Sequence, residues 1–219
     1  MTLITHIWTQ NINLIASDRR ISDRNKQNPI LSENIRKTYS KENSFVSFHG
    51  DYMITEGMSL NDLLANDYEP NDFGGSVEIA NHLHNKLKQH QNRELQTGFI
   101  IGGFFNSTES VYYKQNQITY DHSKFNIGLR MNSESDEHQK KLLKLLDLSI
   151  NQVTGFNRYD FEQYDNYSND QWLEIITVFY KKIHADAEAN PVNGIGENFD
   201  IGIIRNGIFS WILNNDKCA

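Results

Sequence analysis

The stretch that decides the fold is Thr2-Leu3-Ile4-Thr5-His6-Ile7-Trp8-Thr9-Gln10, followed after Asn11 by Ile12-Asn13-Leu14-Ile15-Ala16-Ser17-Asp18-Arg19-Arg20. Both runs are rich in β-branched residues and they break at Gln10-Asn11, the pattern of two short strands folded back as a hairpin. The register of that hairpin stays open. Ile21 to Ser32 is polar, carries Pro29 and reads as a surface loop. Ile35 to Lys41 and Phe45 to Phe48 form a second hairpin around Glu42-Asn43-Ser44, with Lys37 opening it. A turn at His49-Gly50-Asp51 closes the unit, which is expected to hold four short strands.

Beyond Gly50 the apolar period lengthens. Leu60, Leu63 and Leu64 predict a helix that ends before Pro70, and Asn71 to Gly75 is a break. Ile79, Ala80, Leu83 and Leu87 predict a second helix over 76–90, with Ser76 as its cap. Phe99 to Phe104, Ser110 to Lys114, Gln117 to Tyr120 and Phe125 to Leu129 read as strands. Leu142, Leu145, Leu146 and Ile150 mark a third helix. Trp172, Ile175, Ile176, Phe179 and Ile183 mark a fourth, ending near Asn190-Pro191. Phe199 to Ile204 and Ile208 to Leu213, joined at Asn206-Gly207, make a last hairpin. Hairpins without βαβ alternation, interrupted by two helix pairs, predict an α+β chain of two mainly antiparallel sheets stacked together with helices outside. No repeat or linker divides the sequence, so residues 1–219 read as one domain.

Composition narrows the function. The 219 residues are 38% hydrophobic and 22% charged, which is a globular balance. A formal net charge of −7 argues against a nucleic-acid partner. No apolar run is long enough to span a bilayer, and no basic-then-apolar leader opens the chain, so no membrane partner and a cytoplasmic location are expected. The one cysteine, Cys218, excludes an internal disulfide, and no Cys/His spacing reads as a metal site. Gly102-Gly103 lacks the glycine pattern of a dinucleotide site, so no cofactor is expected; close packing between sheets accounts for the pair. His82 and His84 lie two apart on a helix and do not face each other. His49 reads as a turn residue or a pocket lining. The Tyr- and Asn-rich segment from Asn157 to Tyr167 reads as a solvated loop or a contact between subunits.

The candidate chemistry sits in the first fifty residues. A threonine hydroxyl needs a base, and a free α-amine on the same residue is one. Its reference pKa of about 7.7 to 8.0 is close to working pH. A buried ammonium nearby keeps that amine neutral and stabilises negative charge on the oxygen. The ammonium in turn needs a carboxylate. Thr2, Lys37 and Asp18 are the candidates for nucleophile and base, ammonium and carboxylate. The N–H of Gly50 is a candidate oxyanion donor, since glycine lets a carbonyl approach closely. Taken singly, each has an ordinary structural explanation; their order within one strand unit is the signal.

Thr2, the run Ala16-Ser17-Asp18-Arg19-Arg20, Lys37 at a strand head and Gly50-Asp51 before a helix resemble the β-type subunits of proteasomes, which are N-terminal nucleophile hydrolases. The short form resembles bacterial proteasome-like peptidases of the HslV and Anbu type, in which only the initiator methionine is removed. The resemblance extends over nearly the whole chain, ending in Phe199 to Ile204 and Asn206-Gly207-Ile208. It implies a four-layer αββα sandwich and threonine peptidase activity on peptides or unfolded proteins. It also implies a homo-oligomeric ring or helical assembly, with an ATPase unfoldase as a possible partner. By position Thr2 is then the nucleophile and its amine the base, Lys37 tunes the amine, Asp18 partners the lysine and Gly50 serves the oxyanion.

Two segments depart from that pattern. Phe125-Asn126-Ile127-Gly128-Leu129-Arg130 stands where the family carries a Gly-Ser-Gly-like segment, placing Leu129 where a serine supports the amine. Asn190-Pro191-Val192-Asn193-Gly194-Ile195-Gly196 lacks the Asp and Ser-Gly that normally precede the last hairpin. Two other functions therefore stay open: a non-catalytic subunit of a proteasome-like assembly, and an amidase acting on small amides with the same nucleophile.

Overall fold

Residues 3–22, 30–69, 71–90, 97–114, 117–120, 128–131, 135–190 and 194–215 are described in a computed structural model of the chain. Among them every strand pairing is antiparallel. The strands are β1 (Ile4–Trp8), β2 (Ile12–Asp18), β3 (Ile21–Ser22), β4 (Ile30–Ser32), β5 (Thr38–Ser40), β6 (Ser44–Gly50), β7 (Met53–Thr55), β8 (Met58–Ser59), β9 (Thr97–Phe104), β10 (Thr108–Lys114), β11 (Gln117–Tyr120), β12 (Gly128–Met131), β13 (Phe199–Arg205) and β14 (Ile208–Leu213). One five-stranded sheet runs β12-β1-β2-β13-β14 and another runs β11-β10-β9-β6-β5. The first hairpin pairs Ile4 with Ser17 and Trp8 with Asn13, which settles its register.

Alternation along the strands divides the core into layers. Leu3, Ile7, Leu14, Ala16, Ile201 and Ile203 face α3 (Asp136–Thr154) and α4 (Asn169–His184). Val46, Phe48, Phe99, Ile101 and Val111 face α1 (Leu60–Leu63) and α2 (Ser76–His90). Ile4, Ile15, Phe45, Ile100 and Ile204 point the other way and meet between the sheets. The chain is thus α+β, with two antiparallel sheets packed together and helices on their outer faces. The sheets come close at Gly102 on β9, where a Cβ would stand 2.7 Å from Asn13 Oδ1 of the other sheet, besides meeting the ring of Phe45, its neighbour on β6. Buried hydroxyls also bridge them: Ser17 Oγ on β2 lies 2.8 Å from Thr38 Oγ1 on β5, which donates to Ser47 Oγ on β6 at 2.9 Å.

Helix ends follow local chemistry. Ser135 caps α3 by accepting from the His138 N–H, and Gly155, at φ 78°, closes it in the left-handed region. Ser168 and Gln171 form a reciprocal capping box on α4, whose last turn carries Lys181, Lys182 and His184, favourable at a helix C-terminus. Asn206 (φ 52°) and Gly207 (φ 77°) supply the two left-handed residues of the final hairpin turn.

Several expectations change. Among the described residues, six strands rather than four begin within the first fifty, because Ile21–Ser22 and Ile30–Ser32, at the two ends of the segment read as a loop, pair as β3 and β4. Lys37 stands one residue before β5. His49 and Gly50 belong to β6 itself, and a small β7–β8 ribbon precedes α1. Past α1 the chain continues as a π turn, Leu64–Tyr68. Ser76 is the first residue of α2 rather than its cap; it is buried, and its N–H donates to the Glu109 carboxylate at 2.8 Å. The aromatic segment after α3 is not a solvated loop throughout. Tyr164 and Tyr167 are buried, packed edge-on against Trp172. Polarity hid this, because their hydroxyls find partners: Tyr164 donates to the Arg158 carbonyl and Tyr167 to Thr154 Oγ1.

Candidate functional site

Two antiparallel ladders bring the first and last thirds of the chain to one point. β2 ends at Asp18 beside β1, and Phe199 of β13 pairs with Asp18 on the other side. Asp18 is fully buried, and both of its carboxylate oxygens are engaged. Oδ1 accepts from the Leu3 N–H at 2.8 Å and from Lys37 Nζ at 3.0 Å. Oδ2 accepts from the Gly196 N–H at 3.0 Å and the Arg20 N–H at 3.2 Å. The Asp18 N–H donates back to the Leu3 carbonyl at 3.1 Å. These oriented N–H groups and the lysine replace the hydrogen bonds that water would give the carboxylate.

Lys37 arrives from the opposite sheet. Its carbonyl accepts from the Phe48 N–H at 3.1 Å, which pins it to β6. Its side chain is 1% exposed. Besides Asp18, Nζ donates to the Arg20 carbonyl. Burial holds the Lys37 pKa below the ordinary lysine value, and the adjacent Asp18 charge only partly opposes this. Arg20 continues outward as a fork–fork pair with Glu33, at 2.8 and 3.0 Å. Beside it, Arg19 Nε donates to Asp200 Oδ2 at 2.8 Å, tying β2 to β13. Tyr180 of α4 donates to the Leu3 carbonyl at 3.5 Å; burial, together with the Asp18 and Asp200 charges, pushes its phenol well above the ordinary value.

The sequence candidates are thus placed as follows. Asp18 and Lys37 form a direct, buried ion pair. Thr2 lies outside the described residues; Leu3, joined to it by a peptide bond, has its N–H on that pair's carboxylate. Gly50 ends β6, two residues past the Phe48 that holds Lys37, and its φ of 96° is one that L side chains rarely adopt. Leu129 is on β12 opposite Ile7. His49 stacks on Tyr112 between the sheets, with Nε2 3.1 Å from the tyrosine hydroxyl.

Sequence reasoning missed the Leu3 and Gly196 amides and the Arg20 carbonyl. All three act through the backbone, so no side-chain motif announces them. The one available sign was Gly196 itself, in a glycine-bearing loop just ahead of the last hairpin. Among the described residues, no group of three His, Cys, Asp or Glu side chains is placed to hold a metal ion, and no helix is long and apolar enough to cross a membrane. The arrangement can hold a poorly solvated ammonium and a carboxylate against the peptide bond that follows Thr2. Comparison of the chain with known protein families and with characterised proteins returns no match.

Proposed function

We propose that the chain is an N-terminal threonine hydrolase of the proteasome-like type, cleaving peptide bonds once Met1 has been removed. The observation that carries this reading is the buried Lys37–Asp18 pair hydrogen-bonded to the Leu3 amide. A buried pair is a poor source of stability relative to packed apolar side chains, so its place at the Leu3 amide suits a chemical task.

In this reading Thr2 Oγ1 attacks the scissile carbonyl and passes its proton to its own α-amine. The Lys37 ammonium discourages a second positive charge on that amine and stabilises the developing alkoxide. The Gly50 N–H donates to the oxyanion of the tetrahedral intermediate. Collapse breaks the peptide C–N bond, and the leaving amine takes the proton back from the α-ammonium. Water, deprotonated by the same amine, then hydrolyses the ester on Thr2 and regenerates the hydroxyl. Asp18 keeps Lys37 charged and oriented. The full reading is an N-terminal nucleophile hydrolase of four αββα layers. It works in the cytoplasm on peptides or unfolded proteins, as a homo-oligomeric ring or helix that an ATPase unfoldase can feed.

The test is intact mass followed by a threonine-directed electrophile. The expected result is a chain lacking Met1 that gains one adduct on Thr2, with peptide turnover lost in Thr2→Ala. A processed chain that takes no adduct, with turnover unchanged in Thr2→Ala, would sink the proposal. Retained Met1 in a large assembly selects the non-catalytic subunit, and cleavage of small amides but not peptides selects the amidase.

A further inference from the structure

We propose that His184 and Asn190 are positioning residues for the Lys37–Asp18 pair, acting through the backbone of Gly196. The consequence for catalysis rests on the reading above; the clamp itself does not.

Gly196 is the joint. Its N–H donates to Asp18 Oδ2 at 3.0 Å, and its carbonyl accepts from His184 Nε2, also at 3.0 Å. It lies directly on the Arg20 turn: a Cβ here would stand 2.8 Å from Arg20 Cβ and 3.3 Å from Asp18 Oδ2. Neither face of this peptide segment is left to water, since Gly194, Ile195 and Gly196 are all buried.

His184 ends α4, and its other nitrogen fixes the tautomer. Asn190 Oδ1 accepts from the Ile195 N–H at 2.7 Å, which orients the amide. Asn190 Nδ2 therefore faces His184 Nδ1, at 3.0 Å, and donates to it. With Nδ1 accepting, Nε2 must carry the hydrogen, and this is the hydrogen given to Gly196. Asn190 is 4% exposed, so these bonds are poorly replaced by solvent. A rigid helix end thus sets the loop, the loop aims an amide at Oδ2, and the carboxylate is held so that Oδ1 meets Lys37 and Leu3. Asn190 stands at the head of the loop that lacks the family's acid and serine, and His184 reaches that loop from the end of α4.

Heteronuclear NMR of the full-length protein tests the clamp with two readouts, hydrogen exchange at the Gly196 amide and the titration of Lys37 followed at Cε. His184→Leu should speed Gly196 exchange about ten-fold or more, the scale of one lost buried hydrogen bond. It should also move the Lys37 midpoint up towards the ordinary lysine value as water reaches the pair. His184→Gln keeps a donor for the Gly196 carbonyl and should hold both readouts near wild type. Unchanged Gly196 exchange in His184→Leu overturns the proposal, and so does faster exchange with an unmoved Lys37 midpoint. Asn190→Ala, which releases the ring from its other side, gives the same two readouts if the leucine variant does not fold. Neither readout needs turnover, so an unreactive Thr2 would leave this result standing.

Discussion

Lys37 Nζ lies 3.0 Å from Asp18 Oδ1, with side chains 1% and 0% exposed, so each charge has its partner inside the protein. The two halves of the pair are unequally supported. The carboxylate also accepts three backbone N–H groups, from Leu3, Gly196 and Arg20. Asp18→Asn should therefore be the more damaging change, destabilising by about 3 to 5 kcal/mol, the range for a buried charge stripped of its partner. Lys37→Met, which fills the space and leaves those amides in place, should cost less. Urea unfolding of both variants decides it, and equal losses would contradict the ranking.

The pair also sets a pH dependence. The Lys37 pKa is lower in the folded chain than the ordinary value of 10.5, chiefly through burial. Between the folded value and 10.5 the unfolded chain binds the extra proton, so this residue makes stability rise with pH in that window. Below the folded value both states are protonated, and the destabilising contribution is fully present. Tyr68, Tyr164, Tyr167 and Tyr180 are shifted upward by burial and act in the opposite sense as pH passes 10. The clean measurement is wild type minus Lys37→Met. That difference in unfolding free energy should grow as pH rises from the folded value towards 10.5; a flat difference would mean that Lys37 titrates normally.

Gly50 is a second point of backbone constraint. At φ 96° an added Cβ is strained, so Gly50→Ala should destabilise by about 1 to 3 kcal/mol. In the proposed reaction it should also lower kcat, by crowding the carbonyl that Gly50 is meant to receive. Thermal melts and peptide turnover measured together separate the two effects.

Gly102 on β9 lies opposite Phe45 on β6 within one sheet, and this cross-strand contact predicts a compensating pair. Gly102→Ala places a methyl 2.3 Å from Phe45 Cζ and should cost about 1 to 3 kcal/mol through overpacking. Phe45→Leu should cost stability alone, yet recover part of the loss when combined with Gly102→Ala. Strict additivity in a double-mutant cycle would show that the two side chains do not meet.

Much of the fold could be read from hydrophobic period. The helices around Leu142 to Ile150 and Trp172 to Ile183 and the hairpin turned by Asn206-Gly207 fall where the spacing predicts. Polarity misled in two places. Tyr164 and Tyr167 are buried because their hydroxyls are satisfied locally, and Ile21–Ser22 pairs with Ile30–Ser32 through backbone bonds that carry no side-chain pattern. At the site, the pairing of Asp18 with Lys37 could be anticipated because opposite charges in strand-end positions have a stated chemical use. The Gly196 amide and the His184–Asn190 bonds could not, since a peptide N–H looks alike at every position and proximity across 178 residues is a property of the sheets.

The reciprocal bonds between Leu3 and Asp18 have a practical consequence. Leu3 is 1% exposed, so any affinity tag or fusion partner joined ahead of it must leave from a point shut off from water. In the proposed reaction such an extension, joined by a peptide bond, leaves Thr2 without the free α-amine that acts as base. Purification handles therefore belong past β14, where the neighbouring side chains at Ile212 and Leu213 are already partly open to solvent.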